Sequence, residues 1–382
     1  MINILFVYGI PHVGGTEAVM KNIFTYIDKK QYHIDFLFIG KEQDDLSDFS
    51  KEVKKQGSKI YYVPTLRTSI WRNHKEVKKI LKSNGYDIIH SHLDASGADV
   101  LRIAKKCGVS VRITHSHNTS HLKNAKNLID RVHRQYLNYQ KRRLRKIATH
   151  FIGCSDLAGK WLFGDKICQQ SNYMIFNNSI YVDKYRFNKG VRDEFRRKYK
   201  LEDDFVVGHI GRFEYQKNHE FLIDIFEALN KINKNSKLVL IGEGSKINVI
   251  KNIVKEKGLQ KDVLFMGNVQ NVEQLLQMMD VFIMPSFYEG LSVSLVEAQA
   301  SGMPCLVSNT LSKQTNITGN VTFFDLHRSA DQWAKKSMQL YNSNLRDADV
   351  SGLIKSKGFD MKTNINNLER FYSAALGIKK YR

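Results

Sequence analysis

Four stretches of this chain combine residue types and spacings that could do chemistry. Gly14-Gly15-Thr16-Glu17 follows an apolar run and opens a helix-period segment. Glycines there let a backbone approach a ligand closely, and a helix N-terminus favours a phosphate; a plain tight turn uses the same residues. Thr114-His115-Ser116-His117-Asn118 ends an apolar run with two histidines whose side chains alternate to one side of the strand. They suit a substrate contact, a capping pair or a metal pair, although no Asp, Glu or Cys stands at a recognisable metal-ligand spacing. In Gly211-Arg212-Phe213-Glu214-Tyr215-Gln216-Lys217-Asn218, two cations flank a turn just before a helix. Fixed cations beside a helix N-terminus make a diphosphate clamp, against the plainer reading of a solvated Arg and Lys. The fourth stretch runs from Pro285 to Gly302, with Glu289 in a loop and Glu297 about two turns into the following helix. Glu297 sits among Leu295, Val296 and Ala298, so its burial is costly without hydrogen-bond partners, which ribose hydroxyls would provide. Loop amides ahead of that helix suit a phosphate.

These groups need a scaffold, and the pattern around them supplies one. Apolar runs at Ile2–Tyr8, His33–Ile39, Lys59–Val63, Asp87–His90, Val111–Thr114, His150–Gly153 and Tyr173–Phe176 read as strands, separated by helix-period segments. The pattern repeats at Phe205–Ile210, Lys237–Ile241, Val263–Met266, Val281–Met284, Cys305–Ser308 and Val321–Phe324. Strands this apolar, joined by crossover-length helices, form parallel sheets covered on both faces. Residues 181–204, polar and without a strong apolar period, read as a linker. Two doubly wound units then face each other, with a ligand in the cleft at the carboxyl ends of the strands. Apolar residues at Ile365, Leu368, Phe371, Tyr372 and Ala375 have helical spacing, so an amphipathic helix closes the chain.

The composition narrows the class. Of 382 residues, 42% are hydrophobic and 11% aromatic, which excludes wholesale disorder. The net charge is +21, from 59 basic and 38 acidic side chains. Residues 1–180 carry +14 of it, a field that favours nucleic acid, an anionic membrane or phosphorylated substrates. Cys107, Cys154, Cys168 and Cys305 match neither a zinc spacing nor a disulfide framework, which points to a reducing compartment. No apolar run approaches the roughly 18–20 residues of a membrane span. The apolar start lacks a basic leader and a cleavage site, and reads as a buried strand rather than a signal peptide. A cytoplasmic protein, peripheral on the inner face of a membrane, is the expectation.

Taken in order, these motifs resemble the retaining glycosyltransferases of family four, in particular bacterial enzymes of capsule, exopolysaccharide and O-antigen assembly. The resemblance rests on Gly-Gly-Thr-Glu, His-Ser-His-Asn, Gly-Arg-Phe with Gln-Lys-Asn, Ile241-Gly242-Glu243-Gly244, and Glu289 with Glu297. It implies the GT-B fold, two Rossmann-like domains facing across a cleft. Residues 1–187 would form the acceptor-side domain and 188–360 the nucleotide-sugar domain, with 361–382 a helix returning to the first. By position, Glu297 matches the glutamate that binds ribose, and Glu289 the one that faces the donor hexose. Gly290 and Leu291 would offer amides to the diphosphate or sugar, and Arg212 and Lys217 would neutralise the leaving diphosphate. His117 matches the histidine beside the reaction centre, with His115 the alternative occupant. Gly14 and Gly15 match a loop that approaches the diphosphate, Gly242 falls in the donor site, and Met266 to Val269 lies where the base is held. The reaction implied is hexose transfer from a nucleotide sugar, UDP-linked by expectation, to a glycan hydroxyl. No cofactor or metal is required, because Arg212 and Lys217 supply the charge. Asp347-Ala348-Asp349 spells a metal motif of another fold but lies far from any strand end, and reads as solvated surface.

The segment Leu122–Ile147 holds nine Lys and Arg, among them Lys141, Arg142, Arg143 and Arg145, against the single acid Asp130, interleaved with apolar residues. It reads either as an ordinary helix with a solvated face or as a basic amphipathic helix docking on an anionic leaflet, where a lipid-linked glycan acceptor resides. Three rival readings differ in class. A nucleic-acid-binding protein has only the charge in its favour. A GT-B nucleotide-sugar epimerase would change the sugar without transferring it. A nicotinamide-dependent dehydrogenase lacks the G-x-G-x-x-G turn after the first strand.

Overall fold

A computed structural model describes residues 1–9, 15–41, 48–118, 128–289, 292–342, 346 and 349–378. Contacts divide the chain into two units, Met1–Asn178 with the described residues from Lys362 onward, and Ser179–Met361.

The first unit is a seven-stranded sheet: β1 (Ile2–Gly9), β2 (Tyr32–Ile39), β3 (Ile60–Val63), β4 (Ile88–Ser91), β5 (Val111–Ser116), β6 (His150–Gly153) and β7 (Tyr173–Ile175). Every pairing is parallel, in the order β3-β2-β1-β4-β5-β6-β7. Ile4, Leu5, Phe6 and Val7 of β1 are wholly buried, as a central strand covered on both faces requires. Strand order reverses between β1 and β4, so the loops after these strands lie at a switch point, where open α/β sheets place ligands. The helix Met361–Ala375 belongs to this unit. The Tyr32 hydroxyl donates to the Glu369 carbonyl at 2.9 Å, and Tyr372 is buried against His90.

The second unit repeats the plan with six parallel strands: β8 (Phe205–Ile210), β9 (Ser236–Ile241), β10 (Val263–Gly267), β11 (Val281–Met284), β12 (Cys305–Ser308) and β13 (Val321–Phe324). Their order is β10-β9-β8-β11-β12-β13, with the switch point between β8 and β11. All thirteen expected strands are present. All four cysteines are free thiols. Among the described residues no helix is long and apolar enough to cross a membrane.

The expected linker is not one. Residues 182–185 and 189–199 are helical, and the contacts divide the chain after 178 rather than after 187. Val191, Phe195 and Tyr199 form a narrow i, i+4, i+8 stripe that packs into the second unit's core. Arg192 and Arg196 converge on Asp280, whose carboxylate also accepts from the Val206 amide at 2.8 Å. Asp280→Ala strands two nearly buried guanidinium groups, so a stability loss of about 3–5 kcal/mol is expected in urea unfolding. A loss below about 1 kcal/mol would show the pairs to be inconsequential.

Candidate active site

The second unit's site is built on the two strands at its switch point. Gly211 and Arg212 follow β8, and the next residue, Phe213, is wholly buried and pins the loop. The Phe213 amide donates to the Glu243 carbonyl at 2.9 Å, and the Lys246 amide donates to the Phe213 carbonyl at 2.9 Å. Gly242, at φ 134°, presses on this loop so closely that a Cβ would stand 2.2 Å from the Gly211 oxygen. Only glycine allows that approach, so Gly242 fixes the backbone that carries Arg212. The Arg212 side chain is exposed and makes no ion pair or side-chain hydrogen bond among the described residues.

A turn at Tyr215–Lys217 leads into the helix His219–Ile232. Gln216 stitches this turn to the loop after β11. Its carbonyl accepts from the Phe287 amide at 2.9 Å, and its side-chain amide donates to the Tyr288 carbonyl at 2.9 Å and Glu289 Oε2 at 3.2 Å. Asn218 donates to the Pro285 carbonyl at 3.1 Å. These bonds bring Lys217 Nζ to 2.8 Å from Glu289 Oε1, with side chains only 13% and 7% exposed. Lys217 is therefore an ion-paired cation, not a solvated one. Its stem lies across Gly211, where a Cβ would stand 2.9 Å from Lys217 Cε.

Glu297 lies on the helix Val293–Ala300 and is half-buried. Burial pushes its carboxyl up to about 7; the Tyr185 hydroxyl, donating to Oε1 at 2.8 Å, opposes the rise and Glu273 adds to it. A carboxyl raised from its ordinary 4.5 binds its proton more tightly when folded. Its contribution to stability is whole below about pH 4.5 and is lost as pH rises through 7. Glu297→Gln should remove this slope from a urea-unfolding series at pH 4 to 8; an unchanged slope would place its source elsewhere. Met266 on β10 and Val269 just beyond it are half-buried at the edge of the core cluster beneath Glu297's helix. Gly290 and Leu291 lie outside the described residues, as do Gly14, Asp347 and Ala348. Gly15 is the first residue of the helix Gly15–Tyr26.

The first unit places its own polar group beside its switch point. His115 is wholly buried, whereas His117, just past β5, is partly exposed. The His117 amide donates to Asp94 Oδ1 at 2.8 Å, and Asn118 donates to Asp94 Oδ2 at 2.7 Å. His117 Nε2 lies 3.0 Å from His92 Nδ1. Burial lowers the His117 ring to about 3, so it is a neutral hydrogen-bonding group at physiological pH.

Residues 13–175 match the family model described as Glycosyltransferase Family 4, and residues 191–351 the model described as Glycosyl transferases group 1. A Bacillus subtilis protein, EpsF, whose glycosyltransferase assignment is itself provisional, is 30% identical over 94% of this chain and 93% of its own. The chain belongs to this glycosyltransferase family. An Escherichia coli relative named UDP-Gal:alpha-D-GlcNAc-diphosphoundecaprenol alpha-1,3-galactosyltransferase is 25% identical, over 81% of this chain and 79% of its own. Among solved structures, Anabaena HepE in complex with UDP superposes with a TM-score of 0.75 at 15% identity, covering 98% of this chain and 100% of that one. That likeness establishes the GT-B fold for this glycosyltransferase.

The basic segment is helical over Leu128–Ile147; residues 122–127 lie outside the described residues. Its four singled-out cations do different things in this glycosyltransferase. Arg143 pairs with Asp99 at 3.1 Å. Lys141 is buried, 3.5 Å above the Trp161 ring, and donates to the Trp161 carbonyl. Arg145 donates to the Leu162 carbonyl at 3.1 Å. Arg142 is exposed. Lys141, Arg142 and Arg145 line a basin of about 380 Å³ with Tyr139 and Trp161. Val132, Tyr136 and Tyr139, at i, i+4 and i+7, are all exposed, beside exposed Arg131 and Arg134.

Sequence reasoning missed Tyr185, His92 and Asp94, and it quoted Gln216 without giving it a role. One signal was available for the histidine: His90-Ser91-His92 repeats the triplet His115-Ser116-His117 at the end of another strand.

Proposed function

We propose that this glycosyltransferase moves a hexose from a UDP-sugar to a lipid-diphosphate-linked glycan in cell-surface polysaccharide assembly, retaining the anomeric configuration. The observation that carries the reading is the convergence of Arg212, Lys217 and Glu289 on the β8–β11 switch point. As the glycosidic bond breaks, negative charge grows on the leaving β-phosphate while the sugar gains oxocarbenium character. Arg212 and Lys217 stabilise that charge where it develops, without a metal ion in this scheme. Glu289 holds Lys217 in place before the donor arrives and then faces the sugar hydroxyls. Glu297, supported by Tyr185, takes the ribose hydroxyls. Attack comes from the face that the leaving group vacates, and the departing phosphate accepts the acceptor's proton. His117 is a hydrogen-bond partner for a sugar hydroxyl rather than a charge. The Escherichia coli relative's name, with its UDP-linked donor and diphosphoundecaprenol acceptor, supports both substrate classes.

UDP at 100 times its Kd should stabilise the protein by about 2.7 kcal/mol in a thermal melt. Indifference to UDP and every UDP-sugar would refute the donor assignment.

The acceptor places the enzyme at the cytoplasmic leaflet, and the exposed Val132, Tyr136 and Tyr139 stripe amid arginines suits an anionic bilayer surface. Each cation near such a surface contributes about 1 kcal/mol. Reversing Arg131, Arg134 and Arg142 to Glu spares the Arg143–Asp99 pair and should abolish sedimentation with anionic liposomes. Unchanged sedimentation would refute docking through this helix.

A further inference from the structure

We propose that His90, His92 and His115 form a buried binding site for one first-row divalent transition metal ion, zinc foremost. The two strands β4 and β5 are adjacent and parallel, Ser91 pairing with Thr114, which brings the two His-Ser-His triplets side by side. One ring nitrogen from each of the three histidines lies within 4.8 Å of the other two. A tetrahedral site with metal–nitrogen distances of about 2.0–2.1 Å holds its ligand atoms about 3.3 Å apart. The His90 and His92 rings are stacked with centroids 4.2 Å apart, and His90 and His115 with centroids 5.4 Å apart, so the rings must turn out of the stack to aim their lone pairs at one ion.

The hydrogen bonds sort the nitrogens. His90 Nδ1 is 2.7 Å from the Tyr372 hydroxyl, and His92 Nδ1 is 3.0 Å from His117 Nε2. His90 Nε2, His92 Nε2 and both nitrogens of His115 are buried with no hydrogen-bond partner among the described residues. Buried polar atoms left without partners cost about 1–3 kcal/mol each, and three such imidazoles in one place call for an explanation. The Nδ1 atoms of His90 and His92 are thus engaged by neighbours while their Nε2 atoms are left to ligate, and a partner on the other ring nitrogen is how metal-bound histidines are oriented. Phe6 packs edge-on to His90 and Phe176 edge-on to His115, giving the apolar shell that excludes water. Burial holds all three rings in the neutral form that ligates metals. Three imidazoles select zinc or a neighbouring first-row ion over calcium or magnesium.

The site has a consequence for His117. With Nε2 on the ion, His92 carries its proton on Nδ1 and donates it to His117 Nε2. His117 is then held as the Nδ1–H tautomer. The ion acts as a positioning element within the first unit, distinct from the diphosphate chemistry assigned to Arg212 and Lys217.

The test uses the full-length protein, purified without an affinity tag that binds metals. Elemental analysis should find about one zinc per chain. After chelator treatment, cobalt(II) should bind with 1:1 stoichiometry and give the intense visible bands of tetrahedral coordination. His115→Ala should lose the bands, and His150→Ala, a histidine of the same unit outside the cluster, should keep them. Cobalt binding by the unaltered chain decides the matter even if His115→Ala does not fold. No stoichiometric metal and no cobalt bands would overturn the proposal, as would bands that survive in folded His115→Ala. Because the readout is metal content and spectrum, it fails or succeeds independently of the donor and acceptor assignments.

Discussion

Replacing Lys217 by alanine is expected to lower kcat for sugar transfer by about 100- to 1,000-fold, the effect that its proposed role in stabilising transition-state charge implies. The same substitution destabilises the fold. The Glu289 side chain is 7% exposed and, among the described residues, would keep only the 3.2 Å bond from Gln216, so its charge is left largely uncompensated. Breaking a buried pair from one side costs about 3–5 kcal/mol. The two effects separate in a second variant. Adding Glu289→Gln removes the orphaned charge, so Lys217→Ala/Glu289→Gln should recover most of the lost stability and none of the rate. Initial rates with saturating donor, read beside thermal melts, check both. If the double variant recovers activity along with stability, Lys217 is a structural residue and its assignment to the leaving phosphate is wrong.

Arg212 gives the complementary result. Its side chain is exposed, and the loop beneath it is held by the Phe213–Glu243 backbone bond and by the close packing of Gly242 on Gly211. Arg212→Ala should therefore leave stability within about 0.5 kcal/mol of the parent, as for most surface substitutions. It should still lower kcat about 100-fold or more, because in the proposed mechanism the lost cation acts on charge that exists only as the bond breaks. Arg212→Lys restores the charge but not the planar fork and should recover part of the rate. A full-rate Arg212→Ala would leave Lys217 alone to neutralise the diphosphate.

How much of this was legible beforehand differs from element to element. The strands were, because each is a short apolar run that parallel packing buries on both faces, and β1 buries four consecutive residues. The segment misread as a linker contains the helix Lys189–Tyr199, whose three-residue apolar stripe is swamped by charged neighbours. Its arginines are held by Asp280, a partner more than eighty residues away that no local pattern announces. Arg212, Lys217 and Glu289 were legible as candidates because each follows a strand. Their convergence was not, since it depends on β8 lying next to β11, and strand order is a property of the assembled sheet. For the same reason Lys217 reads as a free cation in sequence and as Glu289's partner in the fold. The basic helix shows the opposite failure. Counting charges treats Lys141, Arg142, Arg143 and Arg145 as one face, whereas packing assigns Arg143 to Asp99 and Lys141 to Trp161.

The most direct test is product mass. Purified protein is incubated with a UDP-hexose panel and a polyprenyl-diphosphate-linked monosaccharide, and lipids and nucleotides are followed by liquid chromatography and mass spectrometry. The account predicts that one donor yields a lipid product heavier by a single hexosyl residue, with one UDP released per product. A donor whose sugar is isomerised or freed while the lipid mass stays unchanged, or a lipid extended only from a donor without UDP, would contradict it.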